Sequence, residues 1–162
     1  MNLFSFAAAA VMAATTHILP AADLKAPARV VRIIDGDSIV VVRDGVEEKV
    51  RLACIDAPEL GQGSPGKWVK EDVSLALLGD PEVTLKVYGK DRYGRTIAEV
   101  YRNKDGANVN LLLVEFGSAF AYWDYMSCDR NAYEAAEVKA QSGPYGVWRT
   151  QVQPPWEWRR EN

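Results

Sequence analysis

Three strand-like segments, a helical stretch, two more strand-like segments and two closing helices follow one another along this 162-residue chain. That order predicts an α+β domain with a mostly β core: a five-stranded Greek-key barrel of the OB-fold type carrying three helices. A composition that is 48% hydrophobic and 25% charged fits one globular domain with a sizeable core. Asp-Gly and Gly-Pro punctuation at the joints places the turns.

Residues 29–34 and 38–42 are rich in β-branched apolar side chains and read as strands. Asp35-Gly36-Asp37 joins them, its glycine permitting a tight backbone. Asp44-Gly45 is the signal of a hairpin into a third strand, about 47–55. Ser64 as N-cap and Pro65 at the first helical position open a helix over 67–78, which Gly79 closes. Segments 82–88 and 95–101 alternate polar and apolar, giving the fourth and fifth strands. After the turn Asn103-Lys104-Asp105-Gly106, a short helix spans 109–116 and stops at Gly117. A last helix covers 129–141 and ends at Ser142-Gly143-Pro144. The domain is therefore expected over 27–150, preceded by a leader, 1–22, and followed by a Trp-, Pro- and Arg-containing tail, 151–162. The tail's Trp side chains are expected to pack back on the core, with stacking on nucleic acid as the lesser alternative.

The net charge of −3 and a pI near 5.3 give no whole-molecule attraction for a polyanion, so any basic footprint is local. The first 22 residues carry no charged side chain. They read as a signal peptide, an uncleaved anchor or a buried helix. The secretory reading is favoured, although Lys and Arg are missing from the leading residues and no clean small-x-small site falls near Ala21-Ala22. It implies a secreted or periplasmic protein, with membrane contact only through an uncleaved leader. The one histidine, His17, lies in that segment, so the domain beyond it has none. This excludes His-activated nucleophiles, His-ligated zinc and His-based acid-base catalysis. Two cysteines cannot make a four-cysteine zinc site. Carboxylates, arginines, tyrosines, lysines and a hard, oxygen-loving cation remain.

Asp37 and Asp56 stand at strand ends, and in a small twisted barrel such ends converge. Two carboxylates with a backbone carbonyl and waters suit Ca²⁺; service in turns is the alternative for each Asp taken singly. Arg51 sits within the apolar strand Val50-Arg51-Leu52-Ala53-Cys54-Ile55, where an unpaired cation is costly, and so requires an anion. Arg95 is placed to approach the same anion, and a structural salt bridge is the alternative for both arginines.

The motifs Ile34-Asp35-Gly36-Asp37-Ser38, Arg51-Leu52-Ala53-Cys54-Ile55-Asp56-Ala57-Pro58-Glu59, Asp91-Arg92-Tyr93-Gly94-Arg95, Val109-Asn110 and Gly146-Val147-Trp148 are weak singly and specific in this order. Through them the chain resembles the staphylococcal nuclease (thermonuclease) family over about residues 28–148. The resemblance implies a calcium-dependent phosphodiesterase acting on DNA and RNA, single strands preferred, with little sequence preference and 3′-phosphate products. Asp37 and Asp56 match the carboxylate ligands of Ca²⁺. Ala57 falls where the family has a threonine that offers its backbone carbonyl. Glu59 matches the carboxylate that orients or deprotonates water, and Arg51 and Arg95 match the arginines that grip the phosphate. Arg92, Tyr93 and Tyr122 fall near positions that contact the nucleotide, with Tyr125 an alternative to Tyr122 and simple packing the competing role. A monomer with no obligate protein partner is expected. The other function class is a non-catalytic OB-fold module that binds nucleic acid or protein; it needs the barrel but not the carboxylates and arginines together.

Two departures from the family stand out. The chain is acidic where staphylococcal nuclease is basic, so a shallower salt dependence is expected. It also lacks the lysine-rich loop after the glutamate, having Gly61-Gln62-Gly63-Ser64-Pro65-Gly66 instead. The family packs the last helix near the third strand, which implies a Cys54–Cys128 disulfide in an exported protein, with two free thiols as the alternative in a reducing compartment.

Overall fold

The computed structural model describes residues 25–125, 127–143 and 146–162. The leader, His17 and Pro144 lie outside the described residues. Five strands close into a barrel: β1 (Lys25–Ile33), β2 (Ser38–Arg43), β3 (Val46–Leu52), β5 (Glu82–Lys90) and β6 (Thr96–Arg102). Their order around the barrel is β1-β2-β3-β6-β5, with β5 returning to β1. The one parallel pair, β3 with β6, sets Arg51 opposite Ile97. The β2–β3 register sets Ser38 opposite Arg51. Val41, Val50, Leu52, Val83, Leu85 and Val100 fill the interior with no measurable exposure, which is why these alternating segments fold as strands.

The third strand is shorter than its sequence predicts. It ends at Leu52, and Cys54 takes a left-handed backbone at φ 64°. The chain then restarts as β4 (Ile55–Asp56), which leaves the barrel to pair with β7 (Phe120–Ala121). Three contacts hold this break. Cys54 is disulfide-bonded to Cys128. Tyr122 N–H donates to the Cys54 carbonyl at 2.9 Å. The fully buried Asn110 donates to the carbonyls of Ala53 and Ala98 and accepts from Val100 N–H.

Helix α1 (Ser64–Leu77) buries Val69, Val73 and Leu77, spaced by four, and leaves Leu75 exposed. Ser64 is inside its first turn and does not cap it; Gly63, at φ 82°, occupies the N-cap. That geometry lets Gly66 pack against the carbonyl of Glu59, where a Cβ would lie 2.1 Å from the oxygen. Helix α2 (Val109–Glu115) is capped by Asn108 and α3 (Arg130–Gln141) by Asp129. Beyond the three expected helices, α4 (Gly146–Arg149) and α5 (Pro155–Glu161) are also helical. The tail is thus packed on the domain: its Trp156 meets Phe120 edge-on at 5.5 Å, beside the domain's own Trp148 at 5.0 Å, in keeping with the packing expected of the tail's Trp residues.

Away from the strand ends, Glu99 is a buried carboxylate with a full set of partners. It accepts from the hydroxyls of Tyr88, Tyr101 and Tyr133 at 2.7, 3.1 and 2.9 Å and from Asn108 at 2.8 Å. Burial pushes its carboxyl up, but the hydrogen bonds from Tyr88, Asn108 and Tyr133 and the charge of Lys86 outweigh it and hold the group below its usual range.

Two stability predictions follow from these contacts. The disulfide closes a 74-residue separation, so Cys54→Ser with Cys128→Ser is expected to lose roughly 4 kcal/mol in denaturant titration; no shift in the unfolding midpoint would contradict this. Because the folded Glu99 has a depressed pKa, its contribution is present above the unfolded value and lost as pH falls through the folded one. Glu99→Gln is therefore expected to cost roughly 3 kcal/mol at pH 7, a deficit that shrinks on acidification and that a urea series from pH 7 to 3 measures.

Candidate active site

The break at Cys54 aims the chain that follows it into a cleft of about 670 Å³ at the barrel's end. Asp37 enters from the loop between β1 and β2. Its amide donates to Asp35 Oδ1 at 3.1 Å and its carbonyl accepts from Leu52 N–H at 2.8 Å. Gly36 is required there, since a Cβ would lie 2.6 Å from both Ala57 Cβ and Val69 Cγ1. Asp56 arrives on β4 with its side chain 1% exposed.

One nitrogen joins these two acids. Arg51 Nη2 lies 3.1 Å from Asp37 Oδ2 and 3.1 Å from Asp56 Oδ1, so carboxylates 19 positions apart face the same side of the cleft. Arg51 Nη1 donates to the carbonyls of Leu52 and Ile55 at 2.7 and 2.9 Å, which also ties down the strand break. The anion Arg51 requires is thus supplied by the protein's own carboxylates. Ala57 does not line the cleft; its N–H donates to Asp37 Oδ2 at 3.0 Å.

Arg95 comes from the β5–β6 turn. Asp91 Oδ1 accepts from the amides of Tyr93 and Arg95, and Gly94 at φ 79° completes the turn. Asp91 Oδ2 then holds Arg95 Nε at 2.7 Å, leaving Arg95 Nη1 3.2 Å from Ser38 Oγ. Arg92 lies over the exposed ring of Tyr93 at 4.8 Å, on the cleft's rim. Tyr122 also lines the cleft, its ring centroid 6.1 Å from that of Trp156. Tyr125 ends the short turn after Tyr122, and its side chain lies outside the described residues.

Glu59 follows Asp56 by three positions and is about one-third exposed. Its amide donates to Gln62 Oε1 at 2.8 Å. Its carboxylate is bonded by a residue that the sequence did not single out. Arg159, on α5, reaches Glu59 Oε1 at 2.6 Å and grips Asp56 through both oxygens, at 2.6 and 3.2 Å. The usable signal was an arginine beside two tryptophans after a Pro-Pro helix start, but its separation from Asp56 hid the partner.

The electrostatics reflect acids crowded out of water. Burial and the Asp37 charge push Asp35 up to about 6. Burial also raises Asp56 above the ordinary carboxylate range, against the pull of Arg159 and Arg51. Among the described residues no three His, Cys, Asp or Glu side chains form a ready-made ion cage. The donor set still fits a hard cation: Asp37 and Asp56 offer oxygens to one point that a positive group already occupies, with a carbonyl, water and a phosphate oxygen to complete a shell.

The staphylococcal nuclease homologue family matches residues 49–150, the stretch that holds Arg51, Asp56, Glu59 and Arg95. The chain is 36% identical to an uncharacterised endonuclease of Escherichia coli, over 81% of this chain and 83% of that protein. It is 38% identical to a micrococcal nuclease of Shigella flexneri, over 81% and 79% of the two chains. To an uncharacterised endonuclease of Haemophilus influenzae it is 42% identical, over 82% and 72%. With the closed barrel and this cleft, these matches establish that the chain belongs to the staphylococcal nuclease homologue family.

Proposed function

We propose that the protein is a nuclease, a Ca²⁺-dependent phosphodiesterase that hydrolyses DNA and RNA, single strands preferred, with little sequence preference and 3′-phosphate ends. The observation that carries this reading is the pair Asp37 and Asp56 sharing one Arg51 nitrogen in a cleft that also holds Glu59 and Arg95.

A phosphodiester resists hydrolysis because the incoming oxygen meets a negative charge that grows in the transition state. Asp37 and Asp56 are the residues that would hold Ca²⁺, which when bound supplies charge neutralisation and a ligated water. Arg51 and Arg95 set guanidiniums against the non-bridging and leaving oxygens, and preorganised donors of this kind supply a few kcal/mol each. Glu59 accepts a hydrogen bond from the attacking water and directs it at phosphorus, acting as a water-orienting group rather than as a strong base. Tyr93 and Tyr122 offer ring faces to bases and Arg92 a charge to a neighbouring phosphate. Stacking is tolerant of sequence because every base has a π-face. The disulfide supports an oxidising, secreted or periplasmic location.

Digestion of a single-stranded DNA and an RNA oligonucleotide, with Ca²⁺ and then with chelator, tests the reading. Cleavage that stops in chelator is expected, with kcat reduced roughly 100-fold or more in Glu59→Gln and in Arg95→Ala. Cleavage that persists in chelator, or wild-type turnover by Glu59→Gln, would contradict the mechanism. Binding with no cleavage under either condition points to the non-catalytic module.

A further inference from the structure

Helix α5 lies beyond the stretch that the family matches, residues 49–150, yet its Arg159 lines the cleft. We propose that Arg159 is a positioning residue of this active site: its guanidinium clamps the Glu59 carboxylate beside Asp56 and so fixes the direction in which Glu59 faces the attacking water. The proposal rests on the nuclease reading and extends it to a segment outside the matched domain.

The fork of Arg159 spans two acids at once. Nη2 and Nη1 take Asp56 Oδ2 and Oδ1 at 2.6 and 3.2 Å, and Nη1 also takes Glu59 Oε1 at 2.6 Å. Among the described residues, no other side chain hydrogen-bonds the Glu59 carboxylate, which otherwise has only the Gln62 N–H of a capping box beside it. Glu59 precedes a single 3-10 turn, Leu60–Gln62, and its side chain is one-third exposed. A carboxylate on such a segment samples several rotamers unless something holds it. An ion pair this open contributes little to stability, so its effect is on orientation.

The two partners ride on segments that are fastened to each other independently of the ion pair. The Trp158 indole packs on Gly61, where a Cβ would lie 2.7 Å from Cη2. Gln62 Nε2 donates to the Gln153 carbonyl at 2.8 Å while its Oε1 accepts from Glu59 N–H at 2.8 Å. Pro155 is buried, and Trp156 packs on Phe120. Removing the guanidinium therefore leaves the helix docked and releases the Glu59 carboxylate, while Asp56 keeps Arg51. A cation at Asp56 meets Arg159 as a like charge, so loss of Arg159 leaves cation affinity unchanged or tighter. That separates positioning from any part in holding the ion.

The test uses the full chain as wild type, Arg159→Ala and Arg159→Lys. Ca²⁺ binding is measured by calorimetry, folding by thermal melting, and kcat and KM on a single-stranded oligonucleotide at saturating Ca²⁺. In Arg159→Ala the expected result is a Ca²⁺ affinity at least that of wild type, KM within about threefold, and kcat lower by about 30-fold, the scale of a misplaced catalytic group. Arg159→Lys should recover part of kcat, since an ammonium reaches one acid but lacks the fork that spans both. It also carries the test if alanine loosens the helix. An unchanged kcat, a gain in activity or a loss confined to KM would overturn the proposal; the gain would make Arg159 a plug and the KM loss a substrate contact. An inactive wild type would overturn the nuclease reading and this proposal with it, whereas an active wild type matched by Arg159→Ala overturns this proposal alone.

Discussion

Two acids that repel each other, Asp37 and Asp56, are held on one side of a cleft by a guanidinium they share, and much of the fold exists to keep them there. Burying a carboxylate is expensive unless cations and donors surround it. Arg51 and Arg159 supply the charge, Ser38 Oγ and Ala57 N–H supply donors to Asp37, and the left-handed Cys54 turns β4 so that Asp56 reaches the cleft at all. The disulfide and Asn110 fix that turn from behind. The barrel provides the rigid rim, since Ser38 and Arg51 are paired across β2 and β3.

The chain holds a second buried carboxylate, and the contrast between the two sites separates structure from chemistry. Glu99 is surrounded by three phenols, an amide and a lysine, which satisfy it without opening on a cavity wall that carries other acids. Its depressed pKa marks a settled ion. Asp56 is equally buried, yet its pKa is raised in spite of two arginines, because burial, with the Asp37 charge added to it, outweighs them. A cluster with unrelieved negative charge beside a cleft favours a cationic or phosphate-bridged occupant; a carboxylate sealed by hydroxyls favours nothing but the fold.

The barrel was legible because its signals are local. Period-two alternation, Asp-Gly at the hairpin and Gly117 after α2 state their own geometry. Arg51 was legible because a cation inside an apolar strand demands an explanation. The break after Leu52 was not, since a cysteine at positive φ carries no sequence signature and the turn is imposed by partners at Tyr122 and Cys128. Ser64 and Pro65 read as cap and first turn, but the tight contact of Gly66 with Glu59 moved the helix start back to Ser64. Glu99 occupies a position that alternation assigns to solvent and is buried only because α2 and α3 cover it. Arg159 escaped notice because its role depends on partners some hundred positions earlier, and a seven-residue helix after two prolines has too few turns to show periodicity.

The placement of a divalent cation decides among these interpretations most directly. A crystal structure of the protein with saturating Ca²⁺ and a phosphorothioate oligonucleotide that resists cleavage should show the ion about 2.3–2.6 Å from oxygens of both Asp37 and Asp56, with Arg51 and Arg95 on the phosphate. An ion bound elsewhere, or a cleft in which both aspartates keep only their arginine partners at saturating Ca²⁺, would contradict the central claim that this pair of acids was assembled to hold a cation against a phosphodiester.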